Sequence, residues 1–307
     1  MSGCIERNVV HEVSPLVSIC IPIFNGEKYL EAALRSALNQ TYRNVEIIVS
    51  DDDSSDNSLA IVKQLCGTSP IPFFIIHHKP SGIGANWNNC IRNAHGAYIK
   101  FLFQDDVLHP ECIERMIQLA LLDKRIGLVF SQRDFINNNN DVAYDAWITK
   151  YGTLHAGWVG LDEVSSGNML LRQCDGLLDE PKNKVGEPPV VLLNSSVFPK
   201  VGYFDETLQQ VLDCEYWYRV FRYFKVGFVN EKLVSIRLHP EQTTQRNLKC
   251  HVDDDWHYTQ RLYRNLFFSL SPRVQWKLFT KHNRIYGIYA RLIRKIVRWF
   301  CVGSNLE

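Results

Sequence analysis

The 307-residue sequence predicts an α/β fold, with helices flanking a mostly parallel central sheet and a helical appendage at the C-terminus. Three observations carry that prediction. Short apolar runs rich in β-branched residues alternate with helix-period segments four times in about the first 130 residues, the signature of βαβ units with right-handed crossovers. Acidic and amide side chains cluster where the predicted strands end, which is where open parallel sheets bind ligands. The sequence from Trp256 to Leu306 carries ten Lys and Arg and no acid, much of it at helical spacing.

The elements follow in order. Residues 16–24 (LVSICIPIF) form an apolar run closed by the turn pair Asn25-Gly26. Residues 27–40 place Leu30, Ala33, Leu34, Ala37 and Leu38 on one helical face. A buried strand is predicted at 45–50, a helix at 58–65, a strand at 73–77, a helix at 83–94, a strand at 97–103, a helix at 110–122 and a strand at 127–131. Periodicity fades between 137 and 184, a polar stretch with four asparagines at 137–140. It reads as a mobile loop region, with Tyr144, Trp147, Tyr151 and Trp158 either stacking on a ligand or packing a small subdomain. A strand at 190–193, a helix at 213–224, strands at 226–229 and 233–237, and two or more helices beyond 250 complete the chain.

Composition narrows the class. A hydrophobic fraction of 46% with 22% charged residues is that of a soluble globular protein. Nine cysteines, an odd number without a CxxC pair, argue against a disulfide framework or zinc site and for a reducing, cytoplasmic setting. The start, MSGCIERNVVHEV, has no apolar core of a secretory signal, and no run of about 18 apolar residues predicts a membrane span. The net charge of +1 conceals an acidic body: residues 1–255 hold 24 basic against 32 acidic residues, which argues against a nucleic-acid partner. Gly82-x-Gly84 lacks the third glycine of a dinucleotide loop.

Three clusters carry chemistry. Asp51-Asp52-Asp53 follows the second strand, where carboxylates accept hydrogen bonds from a base or ribose; Ser54, Ser55 and Asp56 beside them serve equally well as a helix cap. Gln104-Asp105-Asp106 follows the fourth strand. Adjacent carboxylates repel, and a divalent cation shared with a diphosphate relieves that repulsion; a cap ahead of Pro110 is the alternative. Asp213 starts a helix with Trp217 one turn on, which suits a general base beside a sugar-binding ring, or a cap with core aromatics.

Together these blocks resemble glycosyltransferase family 2, the inverting enzymes of GT-A, Rossmann-like fold. VSICIPIFNGEKYLEAALRSALNQTY is similar to that family's opening strand and helix, VEIIVSDDDSSDNS to its second strand, SGIGANWNNCIRNAHGAYIKFLFQDDVLHP to the segment leading into its metal motif, and VGYFDETLQQVLDCEYWYRV to its acceptor side. The resemblance covers about residues 16–245. It implies a catalytic domain over 1–245, with a nucleotide-binding half at 16–131 and an acceptor half at 132–245, followed by basic helices over 246–307. It further implies that Pro22, Phe24, Asn25, Asp51, Asp52, Gly82, Asn88, Gln104 and Asp105 border the nucleotide. Asp105, Asp106 and His239 would meet Mn²⁺ or Mg²⁺, Asp213 would be the general base, and Glu215, Trp217 and Arg237 would face the acceptor.

Departures are visible. Phe103 stands where the metal motif usually opens with Asp, Trp87 where many members have Arg, and Asp53 where the usual residue is Gly, which points to a different turn. The implied reaction moves a sugar from a nucleotide-sugar donor, a UDP-sugar by expectation, to a carbohydrate or lipid-linked acceptor in polysaccharide or glycolipid synthesis. A nucleotidyltransferase would more often show a glycine-rich basic loop near the N-terminus; a silent sugar-nucleotide-binding scaffold is the other alternative, supported only by Phe103. Residues 285–300 form an apolar helical face bordered by Arg and Lys, which fits either the inner face of an anionic membrane or docking on the acidic body.

Overall fold

The structure is a computed structural model and describes residues 14–137, 142–283 and 286. In chain order the elements are β1 (Val17–Ile23), α1 (Glu27–Leu38), β2 (Val45–Asp51), α2 (Ser58–Cys66), β3 (Phe73–His77), α3 (Ile83–Arg92), β4 (Tyr98–Phe101), β5 (Val107–Leu108), α4 (Cys112–Ala120) and β6 (Ile126–Ile136). Then come α5 (Ala143–Tyr151), β7 (Val164–Ser166), α6 (Gly167–Gln173), β8 (Val191–Asn194), α7 (Phe198–Val201), α8 (Leu212–Tyr223), β9 (Lys225–Arg237), α9 (Thr243–Lys249), α10 (Asp255–Asn265) and α11 (Pro272–His282).

One mixed sheet orders its strands β3-β2-β1-β4-β8-β6-β9-β5, with β7 also pairing β9. β3, β2, β1 and β4 are mutually parallel. The short β8 pairs antiparallel with both β4 and β6, so β6 and its parallel neighbour β9 run with the first four. The sheet is thus mostly parallel, as its continuous apolar strands predict. All seven residues of β1 and of β2 are buried, because helices cover both faces. The polar side chains caught there pair with each other: Ser18 Oγ donates to Glu46 Oε1 at 2.5 Å, and Glu46 also accepts the His95 backbone N–H at 2.7 Å.

Two expectations change. The stretch 137–184 is more structured than expected: among its described residues, loops are interleaved with α5, β7 and α6, and Leu154, Trp158, Leu170, Leu171 and Leu177 are buried. Helices of nine and seven residues are too short to display a clear period. Trp158 and Leu170 pack in the core, so of the four aromatics there Trp158 cannot meet a sugar. The two strands expected at 226–229 and 233–237 are one strand, β9, whose register against β6 shifts at Ser131 and Gln132.

At the C-terminus, Tyr258, Leu262, Val274 and Leu278 of α10 and α11 belong to the main core. Lys182 bridges to Asp255 at 2.8 Å, and Arg261 to Asp205 at 2.6 Å. This part of the basic appendage therefore docks on the body. The apolar face expected over 285–300 lies outside the described residues, apart from Tyr286. Among the described residues no helix is long and apolar enough to cross a membrane.

Candidate active site

The parallel strands β1, β2 and β4 deliver their C-terminal ends to one edge of the sheet, where Asp51–Asp53 and Asp105–Asp106 follow β2 and β4, while Asp213 is carried by α8. At the end of β2, Asp51 is 1% exposed and both its oxygens lie 3.3 Å from the Ser54 N–H. Asp52 is held differently: its Oδ1 lies 2.7 Å from His78 Nδ1, just past β3. Asp53 adopts φ 65, the left-handed region glycine favours, so the turn tolerates the departure from Gly without changing hand.

Asn25, at φ 47, sews this loop to β1: its Oδ1 accepts the Ser55 N–H at 2.8 Å and its own N–H reaches Ser54 Oγ at 3.0 Å. Pro22 is buried, whereas Phe24 two residues on is 43% exposed and offers an apolar surface beside Asn25. Gln104 brackets the Phe24 backbone from both sides, accepting its N–H at 2.8 Å and donating to its carbonyl at 3.1 Å. That bracket occupies the amide expected to meet the nucleotide. Gly26 allows the close approach, since a Cβ there would sit 2.4 Å from Gln104 Oε1. Gly82 precedes α3 at φ 98, where a side chain would be strained.

Asn88 corrects an expectation. It is 1% exposed, and its amide clamps the Phe204 backbone, donating at 2.9 Å and accepting at 3.0 Å. With Glu206 also on its Nδ2 at 2.9 Å, it ties α3 to the segment before α8, and both its amide hydrogens are committed there rather than to a nucleotide. The two aromatic departures from the family pattern meet: Trp87 stacks on Phe103 at 5.1 Å between ring centroids.

After β4, Asp105 and Asp106 diverge. Asp105 Oδ2 meets His239 Nε2 at 3.0 Å, and its carbonyl accepts Arg237 Nε at 3.0 Å. Asp106 is 3% exposed and accepts the Arg237 backbone N–H at 3.0 Å. Burial and the neighbouring Asp105 charge push its carboxyl well above the ordinary range. Arg237 covers the Tyr29 ring at 4.6 Å, so it works beside the acids rather than at the acceptor as expected. Among the described residues no three His, Cys, Asp or Glu form a self-sufficient metal centre. A hard divalent cation bound with a diphosphate needs only one or two protein ligands, and the converging Asp105 oxygen and His239 nitrogen fit that requirement.

Asp213 stands in the first turn of α8. Its Oδ1 accepts the Cys214 N–H at 2.7 Å and its Oδ2 accepts Asn183 Nδ2 at 2.8 Å. Desolvation dominates, and the Glu187 charge adds to it, so the carboxyl is pushed up to about 7 despite these donors. Glu215 and Trp217 do not face an acceptor. Glu215 is 1% exposed and its two oxygens hold Arg219 Nε at 2.8 and 2.9 Å; Trp217 is fully buried. The cause is that α8 is covered nearly all round, so a position one turn from Asp213 enters the core.

Residues missed in the sequence complete the site. Asn183 accepts the N–H groups of Val185 and Gly186 at 2.9 Å each, and Trp217 Nε1 donates to the Gly186 carbonyl at 2.9 Å. Gly186 takes φ 127. This pinned turn delivers Glu187, whose Oε2 lies 2.9 Å from Nε of the nearly buried Arg133. The charge of Glu187 acts on both Asp106 and Asp213, placing it in the field of both acid groups. The only local signals were a glycine and an asparagine within a stretch lacking periodicity.

Comparison with known proteins agrees with this architecture. The pattern of glycosyl transferase family 2 matches residues 18–173. A Rickettsia prowazekii protein described as an uncharacterised glycosyltransferase is 32% identical over 240 residues, covering 76% of this chain and 68% of its own. Among solved structures, Staphylococcus aureus TarS (residues 1–349) superposes with TM-score 0.57 at 15% identity, over 88% of this chain and 73% of that one. A mannosyltransferase from Pyrobaculum calidifontis, in complex with GDP-Man and Mn²⁺, superposes with TM-score 0.60 at 12% identity, over 96% and 81%. The fold is GT-A, and the chain belongs to glycosyl transferase family 2 as a glycosyltransferase.

Proposed function

We propose that the protein transfers a sugar, with inversion, from a nucleotide-sugar donor to an acceptor hydroxyl, and that Asp213 is the general base. The observation that carries this reading is the Asp213 carboxyl, pushed up to about 7 while two donors hold its orientation. A base poised near neutrality both ionises and accepts a proton efficiently. Asp213 takes the acceptor proton, the acceptor oxygen bonds to the anomeric carbon, and the bond from that carbon to the diphosphate oxygen breaks on the opposite face. One base and no protein nucleophile suffice for such a single displacement.

The donor half spans 16–131. Phe24 with Asp51 and Asp52 would take the nucleoside, and Asp105 with His239 would hold Mn²⁺ or Mg²⁺. Bound there, the cation would supply charge neutralisation for the leaving diphosphate. Asp106 and Arg237 fix Asp105 from behind. The acceptor half spans 132–245, where the 183–187 turn positions Asp213. A donor of this kind is supported by the GDP-Man complex of the mannosyltransferase and by TarS, solved with UDP-GlcNAc. The unbroken basic sequence after Asp255 supports a lipid-linked acceptor, reached from the cytoplasmic face of a membrane.

Incubating purified protein with Mn²⁺ and UDP-, GDP- and TDP-sugars is expected to release diphosphate slowly with one donor and faster once an acceptor is supplied. An Asp213→Asn enzyme that binds donor and keeps near wild-type transfer would remove the base from this mechanism.

A further inference from the structure

A cation-lined cavity of about 530 Å³ opens between α7, the end of α8 and α10. Asp213 and Arg222 stand in the first and last turns of α8; nine residues at the helical rise separate them by about 13 Å, so the cations at the far end of this cavity stand away from Asp213. Its two acids are already engaged. Asp205 pairs with Arg261 at 2.6 Å, and Glu215 holds Arg219. Lys200, Arg222 and Arg264 remain, all exposed and, among the described residues, without an acidic partner. Lys200 and Arg222 each lie 4.9 Å from the centre of the Tyr223 ring, itself 46% exposed.

A second, independent observation lies just beyond the lining residues Asn265 and Leu266. The turn Phe267–Ser269 holds Phe268 at 83% exposure, more than any other large hydrophobic side chain described. The Phe268 carbonyl accepts from Arg172 at 3.3 Å, so the exposed ring stands on a fixed backbone. An anion in solution would satisfy the cations and leave Phe268 in water. A bilayer surface satisfies both at once, with phosphate in the cavity and the ring in the acyl boundary.

We propose that this face seats the protein on an anionic phospholipid surface, with Lys200, Arg222 and Arg264 taking headgroup phosphate and Phe268 entering the bilayer. The proposal rests on the lipid-linked acceptor reading and names the surface that would serve it. From Trp256 to Asn283 the sequence holds five Lys and Arg and no acid, which adds charge complementarity.

The test uses the full chain carrying Phe268→Cys labelled with an environment-sensitive fluorophore, compared with the same labelling of the chain without that change. Phosphatidylglycerol-containing vesicles are expected to shift the added label to the blue, and pure phosphatidylcholine vesicles to leave it unmoved. Arg222→Ala with Arg264→Ala should weaken vesicle binding by roughly 30-fold, and Arg264→Ala alone by roughly fivefold, with donor hydrolysis unchanged. Arg264→Ala guards against a folding defect, because Arg222 also donates to the Asn265 carbonyl.

Vesicle binding with the label still in water would place the contact elsewhere and overturn the proposal. Failure to bind vesicles, or an equal shift on neutral vesicles, would overturn it too. Calorimetric binding of glycerol phosphate that depends on Arg222 and Arg264, with vesicles leaving the label unmoved, would make this a site for a soluble phosphate and refute the docking surface. A label that moves as expected in an enzyme that transfers sugar equally well to a water-soluble acceptor without vesicles would leave the docking intact and remove only the lipid-linked acceptor reading.

Discussion

Replacing Asn183 with Ala removes its bonds to the Val185–Gly186 turn and its bond to Asp213, and the effect of the last is calculable because that bond alone favours one charge state. Asn183 Nδ2 lies 2.8 Å from Asp213 Oδ2 and stabilises the carboxylate over the acid. A hydrogen bond to a charged group is worth about 1.5–3 kcal/mol, or about 1–2 pH units of ionisation. The carboxyl keeps some contact with solvent, so the lower end applies. The Asp213 carboxyl should move from about 7 to roughly one unit higher in Asn183→Ala. The assay is kcat/KM for transfer against pH, which reports the free enzyme. Wild type is expected to lose rate on the acid side of an apparent pKa near 7, tenfold per unit at the limit. In Asn183→Ala that limb moves up, so the rate falls roughly tenfold at pH 6 and recovers towards wild type above pH 9. A merely structural role would lower the rate equally at every pH. An unmoved limb, or a uniform loss, would refute the assignment of Asn183 as the residue that orients and tunes the base.

Other outcomes follow from the same geometry. Asp213→Asn should stabilise the fold at pH 8 by up to about 4 kcal/mol by thermal or urea unfolding, because an acid with a raised folded pKa gives stability below its unfolded value near 4 that is lost as pH rises through about 7; the gap over wild type should therefore close below about pH 4. Asp105→Asn or His239→Ala should weaken Mn²⁺-dependent UDP binding in calorimetry by about tenfold or more while leaving metal-free binding little changed. Glu187→Ala leaves Arg133 buried without its counter-charge and should cost about 3–5 kcal/mol in urea unfolding; a cost below about 1 kcal/mol would mean the pair is solvated. Gly26→Ala would press a Cβ onto Gln104, and nucleotide binding should fall with it.

The parallel half of the sheet was legible because each strand there is a continuous apolar run bounded by turn residues, and each helix is long enough to show its period. The acids at the strand ends were legible for the same reason: once β2 and β4 are located, Asp51 and Asp105 can only emerge at one edge. The α8 positions were harder. The place of Asp213 at a helix start was legible, but Glu215 and Trp217 were assigned outward-facing roles that α8, packed nearly all round, does not permit. Asn88 failed likewise, since its clamp on Phe204 joins residues 116 positions apart and leaves no local trace. Asn183 and Glu187 depend on Gly186 at φ 127, on Trp217 thirty-one residues away, and on Arg133 across the sheet.

The residues that eluded the sequence share a function within the site. Trp217 was expected to touch sugar; fully buried, it instead donates to the Gly186 carbonyl and so fixes the turn from which Asn183 reaches Asp213. Asp213 and the indole sit one turn apart on α8, and the chain between Asn183 and Glu187 closes the loop between them. Trp217→Phe keeps the packing volume close but removes the donor at 2.9 Å. It should therefore lower transfer by about tenfold, through a displaced Asn183, with donor binding unchanged. Its pH limb should shift in the same direction as that of Asn183→Ala, and the double variant should lose little more than either alone, because both act on one carboxylate through one turn. Losses that multiply in the double variant would mean that the indole supports the site by a route other than this turn.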